Sequence, residues 1–260
     1  MKASDRMRFN VLPVGASVPS EAAELRAENI VVQFSGLTAI ANVSLSVQRR
    51  EVFGLIGPNG AGKTTLVNCL TGFQAPTSGR ALLGETDGTG WSASHFRKAG
   101  VARTFQGGRL FREMTILENL EVTAVGLGLN RRQAYRQAMA MLRWIGLADK
   151  ADLIAGSLPY TDERRVGIAR AMVLPPAFVL LDEPAAGMSD AECDELMHLI
   201  AAIPKEFSCG VLLIEHNMRV IMGVCDRIHV LDTGRTIAEG TPHEIQRNTA
   251  VINAYLGEHV

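Results

Sequence analysis

The sequence has almost no net charge. Its 26 Lys and Arg against 27 Asp and Glu leave a formal −1, so the basic field that draws a protein onto nucleic acid is missing. Long apolar runs are missing too. Stretches such as Phe178–Leu181 and Val211–Ile214 fall far short of the ~20 residues a membrane-spanning helix needs. If the protein serves a membrane, another chain crosses it. Cysteine is scarce, with four residues (Cys69, Cys193, Cys209, Cys225), no C-x-x-C pairing and no histidine at ligand spacing. That spacing argues against a zinc site or a disulfide framework and for a reduced, cytosolic compartment. A secretory apolar core is absent from the amino terminus, where Lys2, Arg6 and Arg8 are followed by Asn10, Pro13, Gly15 and Pro19. Residues 1 to 23 read as a loose tail. What remains, 47% hydrophobic and 20% charged residues over 260 positions, is the composition of a globular chain with one sizeable core and a smaller lobe.

The most informative stretch is Gly57 to Thr65, GPNGAGKTT, directly after the apolar run Val52, Phe53, Gly54, Leu55, Ile56. That run suits a buried strand, and Thr64, Thr65, Leu66, Val67 and Leu70 follow at helical spacing. Gly57, Gly62, Lys63 and Thr64 complete the pattern G-x-x-x-x-G-K-S/T between them. Glycines let successive amides turn inward, and the opening helix adds its positive end, so the loop can cradle polyphosphate. Lys63 then reaches the β- and γ-phosphates and Thr64 holds magnesium. The bland alternative is a glycine turn with a surface lysine; the flanking strand and helix favour the phosphate reading.

Upstream, Leu25–Phe34 and Val43–Val47 alternate as two half-buried antiparallel strands around a Ser35-Gly36 turn. Phe34 fits either the core or a flat stack against an adenine ring. Downstream, Arg80–Leu83 reads as a strand, residues 84 to 100 give weak signals, and Val101–Phe105 reads as a strand ending at Gln106. The joint Gly107-Gly108 behind Gln106 suits a sensor that reaches a metal-bound water in one conformation; a solvated glutamine is the plain alternative. Residues 112 to 172 read as helical. Ala134, Ala138, Met141, Leu142 and Ile145 share one helix face, while Arg131, Arg132, Gln133, Arg136 and Arg143 lie off it as a solvated surface. A further helix runs from about Asp162 through Met172.

After Pro175-Pro176, the strand Phe178–Leu181 ends in Asp182-Glu183-Pro184. Adjacent carboxylates at the end of a buried strand are costly unless a cation or a proton transfer uses them. One of the two can support magnesium, and the other can deprotonate a water attacking a γ-phosphate. Ser189 and Glu192 form a capping box for a helix with core face Leu196, Leu199, Ile200 and Ile203. The strand Val211–Ile214 ends at Glu215-His216, and His216 is either structural or a γ-phosphate contact on the same sheet edge as Gly57 and Glu183. The rest, from Asp226, reads as strands, a Thr233-Gly234 turn and a closing helix.

In this order the phosphate loop, Gln106, helical insert, LLDEP and His216 resemble the ATP-binding subunit of an ABC transporter. The wording GLTAIANVSLSV, GPNGAGKTTLVN, RTFQ, LFREMTILENL, LLDEPAAGM, LLIEHNM and NAYLGE is similar to the branched-chain amino-acid importer subfamily, with urea and amide importers as near relatives. The resemblance runs from Glu24 to the end and implies an α/β fold: a P-loop NTPase core with a mixed central sheet, an antiparallel β subdomain and a helical subdomain at about 107 to 173. It implies ATP and magnesium as ligands. Phe34 is then the adenine-stacking aromatic, and Gly57 with Asn59, Gly60, Ala61, Gly62, Lys63, Thr64 and Thr65 forms the phosphate cradle. Thr64, Gln106 and Asp182 serve the metal, Glu183 is the general base, His216 senses the γ-phosphate, and Gln106 links hydrolysis to the membrane partner. Implied partners are membrane-spanning permease subunits, a second ATP-binding subunit or a second copy of this chain, and indirectly a solute-binding protein. Nucleic acid is not among them. The implied location is the cytoplasmic face of the cell membrane, peripheral, through the permeases.

One segment departs from the family. Where relatives carry Leu-Ser-Gly-Gly-Gln or Leu-Ala-Tyr-Gly-Gln, this chain has Leu158-Pro159-Tyr160-Thr161-Asp162, then Glu163-Arg164-Arg165. The family's helix start here aims free amides at the γ-phosphate held by the other cassette of a head-to-tail pair. Thr161 adds a side chain at that contact, and Asp162 and Glu163 are expected to satisfy the helix end themselves and repel an anion. At ~4 Å and an effective dielectric near 20, each like-charge contact opposes phosphate by about 4 kcal/mol before screening. The expectation is a complete phosphate loop beside a weakened half-site lent to the partner, which suits a heterodimer. The competing function is a nucleotide-dependent regulatory module with impaired hydrolysis. Retention of Asp182, Glu183 and His216 favours the ATPase. A soluble ABC ATPase of DNA repair or translation would call for a coiled-coil arm or a tandem cassette, and neither is seen.

Overall fold

The computed structural model describes residues 23 to 105 and 108 to 256. Gln106 and the greater part of the expected tail therefore lie outside the described residues. The chain opens with β1 (Glu24–Phe34) and β2 (Leu37–Gln48), an antiparallel pair that runs from Glu24↔Gln48 to Phe34↔Leu37 with register shifts between Ala27 and Gln33. The Ser35-Gly36 turn between them has φ of 43° and 90°, a left-handed pair that glycine eases. Next come β3 (Val52–Ile56) and α1 (Lys63–Leu70), the strand and helix expected around the phosphate loop.

The weak stretch 84 to 100 contains a two-residue strand, β5 (Thr86–Asp87), which follows β4 (Ser78–Leu83), and a short helix, α2 (Ala93–Lys98). Ser92 caps α2 by accepting from the His95 amide. β4 runs antiparallel to β1, giving a four-stranded sheet in the order β2-β1-β4-β5. β6 (Val101–Arg103) is shorter than the sequence suggests. Its ladder stops because the Asp182 amide donates to the Thr104 hydroxyl at 3.1 Å rather than to a strand carbonyl.

Helices α3 (Ile116–Gly126), α4 (Arg131–Trp144) and α5 (Tyr160–Met172) follow. α4 buries Ala134, Ala138, Met141 and Leu142 as its spacing requires, and its arginines face out. β7 (Phe178–Asp182), α6 (Asp190–Phe207), β8 (Gly210–Ile214), α7 (Met218–Val224), β9 (Arg227–Asp232), β10 (Arg235–Gly240), α8 (Pro242–Gln246) and α9 (Thr249–Leu256) complete the order.

The second sheet runs β10-β9-β3-β8-β7-β6, with only β10 antiparallel to its neighbour. The inner strands β3, β7 and β8 are buried on both faces, so they read as unbroken apolar runs whose alternate residues enter different cores. Phe53, Leu55, Phe178, Leu180, Leu212 and Ile214 pack with the four-stranded sheet and α1. Val52, Ile56, Val179, Leu181, Val211 and Leu213 pack with the helices on the other side. The mixed α/β architecture expected from the sequence is the one observed. No helix among the described residues is long and apolar enough to cross a membrane.

Candidate functional site

The carboxyl ends of the parallel strands share one edge. Register pairs Asp182 with Ile214 and Leu55 with Ile214, so the residues after β3, β7 and β8 emerge side by side, where α/β sheets bind ligands. The β3–α1 loop needs glycine at two places for packing as well as for curvature. A Cβ on Gly57 (φ 147°) would lie 2.0 Å from the Leu231 carbonyl oxygen, and one on Gly62 (φ 98°) 2.5 Å from Ile40 and 2.7 Å from the Ala39 oxygen. Gly62 starts α1 with no side-chain cap and no acidic residue in the first turn, so its opening amides are presented as an anion nest. Lys63 is buried and donates to the carbonyls of Gly57 and Pro58 at 2.6 and 2.9 Å. Asn59, Gly60 and Thr64 are exposed and Thr65 partly so, while Ala61 is buried.

Ala39 and Ile40 leave no room for a Cβ at Gly62, and the Ala41 amide donates at 2.8 Å to the carbonyl of Gly234, whose own amide bonds the Ala61 carbonyl at 3.0 Å, so the β1–β2 hairpin lies against the loop directly and through the Gly234 turn. Phe34 at its tip is 48% exposed and so lies outside the core.

At the end of β7, Asp182 accepts from Arg103 Nη2 at 2.7 Å, with both side chains nearly buried. Arg103 also donates to Asn68 Oδ1 at 2.6 Å and lies against the rings of Phe73 and Phe105. Sequence reasoning missed this arginine. Glu183 has left the strand with φ 47°, an uncommon conformation for a residue with a side chain. Its Oε1 lies 2.7 Å from His216 Nε2. The structure thus joins Glu183 and His216, which the sequence placed only on a common edge.

The altered helix start behaves differently from expectation. α5 begins at Tyr160, two residues early, because the Glu163 amide already bonds the Pro159 carbonyl at 3.0 Å. Asp162 and Glu163 do not close the helix end. Asp162 turns to Lys150 Nζ at 2.7 Å and Glu163 faces Arg112 at 3.7 Å. The Thr161 hydroxyl donates to Glu192, and this bond first, then those from Ser189, holds the Glu192 carboxyl down at about 2. The two acidic side chains expected to repel phosphate are therefore partly neutralised, and what persists of that expectation is the side chain that Thr161 adds at the helix start.

Together, the glycine loop between β3 and α1 and the acidic and imidazole groups on the neighbouring strand ends define a phosphate-loop nucleotide-binding domain. The family described as ABC transporter matches residues 40–186, and the one described as branched-chain amino acid ATP-binding cassette transporter matches residues 235–260. The high-affinity branched-chain amino acid transport ATP-binding protein LivG of Salmonella typhimurium is 46% identical over 249 residues, covering 90% of this chain and 98% of that protein. BraF of Pseudomonas aeruginosa, with the same description, is 42% identical over the same shares. The solved ADP conformation of MJ1267, an ATP-binding cassette of an ABC transporter, superposes with a TM-score of 0.82 at 30% identity, over 90% of this chain and 98% of that one. The chain belongs to the ABC transporter family.

Proposed function

We propose that this chain binds and hydrolyses ATP to drive import of branched-chain amino acids through separate membrane subunits, at the cytoplasmic face of the cell membrane. The observation that carries this is the phosphate loop on β3–α1 beside the Glu183–His216 pair, 2.7 Å apart. The carboxyl-terminal match at residues 235–260 supports the solute class. In this reading, residues 59 to 65 and Gly57 cradle the phosphates, Lys63 leaves the loop carbonyls for phosphate oxygens, and the half-exposed Phe34 stacks on the base. Glu183 accepts the proton of the attacking water, and His216 orients it and contacts the γ-phosphate. Gln106, outside the described residues, serves as the link to the membrane partner.

Thr64 and Asp182 offer a hydroxyl and a carboxylate, hard oxygen donors that suit magnesium, and no group of three His, Cys, Asp or Glu among the described residues could hold a metal. That fits magnesium, which takes one or two protein oxygens and fills its shell from phosphates and water. When bound, it neutralises charge that develops on the phosphate oxygens.

The half-site at Thr161 supports pairing with a second ATP-binding subunit whose helix start retains glycine. The test is ATP turnover by the chain alone, with such a subunit, and as Thr161→Gly/Asp162→Gln, alongside leucine uptake by vesicles holding the whole complex. Low turnover alone, raised by the partner or by the repair, is expected. Equal turnover in all three would remove the half-site proposal, and ATP-independent leucine uptake would remove the transport one.

A further inference from the structure

Glu215 follows β8 directly, one residue before His216, and is 2% exposed. A carboxylate so placed needs donors, and it has three. Its Oε1 accepts the Ala185 amide at 2.5 Å, and its Oε2 accepts those of His216 at 3.0 Å and Asn217 at 3.3 Å. Ala185 lies two residues after Glu183, in the turn where Glu183 has φ 47° and its own amide donates to the Ile214 carbonyl at 2.9 Å. One side chain therefore spans two neighbouring strand ends, the first carrying Glu183 and the second His216. Burial pushes its carboxyl up, the three amides pull it down, and the nearby Glu183 charge pushes it up again.

An uncharged substitute cannot repeat this bridge. Glutamine has a single acceptor oxygen, and its amide group would turn a donor toward the donors at one of the two turns. One turn must then be released.

We infer that Glu215 is a positioning residue for ATP hydrolysis: its carboxylate ties the Ala185 turn to the His216 turn and so holds Glu183 Oε1 and His216 Nε2 at 2.7 Å. Among the described residues its hydrogen bonds go to Ala185, His216 and Asn217, none of them in the phosphate loop or α1, so its loss is expected to bear on turnover more than on ATP affinity. The inference rests on the ATPase reading above.

The experiment uses the assembled complex carrying Glu215→Gln, His216→Ala, or both, and reads ATP affinity and turnover separately. Glu215→Gln is expected to lower kcat by about tenfold or more while the ATP dissociation constant stays within about threefold. In the His216→Ala background the same change is expected to cost less than about threefold, because both act on one pair. Turnover by Glu215→Gln within about twofold of the native complex, or an equal loss in both backgrounds, would overturn the inference. Glu215→Asp keeps the charge on a shorter stem and is read by the same criteria should the glutamine variant fail to fold. If the native complex itself releases no phosphate, the ATPase reading fails and this inference with it. If it is active and Glu215→Gln is indifferent, only the inference fails.

Discussion

Arg103 governs how Asp182 is presented. The guanidinium and the carboxylate are 6% and 12% exposed at 2.7 Å, and in such a place the surviving partner of a broken pair is left charged and unsolvated. Arg103→Met is expected to cost about 3–5 kcal/mol, measured by urea unfolding, and adding Asp182→Asn is expected to restore much of that. If the double variant is no better than the single, the pair is not what holds this edge. The sequence could not show the contact: Arg103 reads as one more residue of the strand Val101–Phe105, and its partner is 79 positions away. Glu183 and His216 were legible because each directly follows, or nearly follows, a short unbroken apolar run, and such runs lie parallel with their ends together. Thr161 and Asp162 stood out by residue type alone. Their partners Glu192 and Lys150 come from other elements, so the charge expected at the helix end was overestimated.

At the scale of elements, the β3–α1 loop is built for its neighbours as much as for phosphate. The Gly57 conformation and the 2.0 Å approach of Leu231 make Gly57→Ala strained on both counts. A loss of about 2 kcal/mol or more is expected, seen as a fall of about 4–8 °C in Tm for a chain of this size. An unchanged Tm would mean that β9 does not press on the loop. β1, β2 and α4 were readable from period, and β3, β7 and β8 from unbroken apolar runs. α2 and β5 were not, since a six-residue helix and a two-residue strand carry too few apolar positions to show a period. The early start of α5 at Tyr160 was missed because its N-cap, Pro159, makes no side-chain bond and so leaves no residue-type signature.

Across the whole molecule, the six-stranded sheet divides two apolar cores, and its β9–β10 edge is closed by polar contacts. His229, 1% exposed, meets Glu239 at 2.6 Å and Thr236 at 2.9 Å, and Arg227 meets Glu239 at 2.6 Å. The His229 hydrogen bond first, then the charges of His229 and Arg227, outweigh burial and lower the Glu239 carboxyl from its ordinary 4.5. The unfolded chain therefore takes up this proton at a higher pH than the folded one. The stability Glu239 contributes is full above that ordinary value and is lost as pH falls through the lowered folded value. Melting curves taken from about pH 6 down to about pH 3 are expected to fall less steeply for Glu239→Gln than for the native chain. Parallel curves would show that the edge contacts contribute nothing to acid stability.

The most direct measurement on the central claim is retention of labelled ATP and release of labelled phosphate by the purified chain with its companion subunits, in native, Lys63→Ala and Glu183→Gln forms. Native material is expected to do both, Lys63→Ala to lose retention, and Glu183→Gln to retain ATP while releasing phosphate about a hundredfold more slowly or less. Native material that neither holds ATP nor releases phosphate, or a Lys63→Ala form that matches it in both, would contradict a nucleotide cut at the β3–α1 loop.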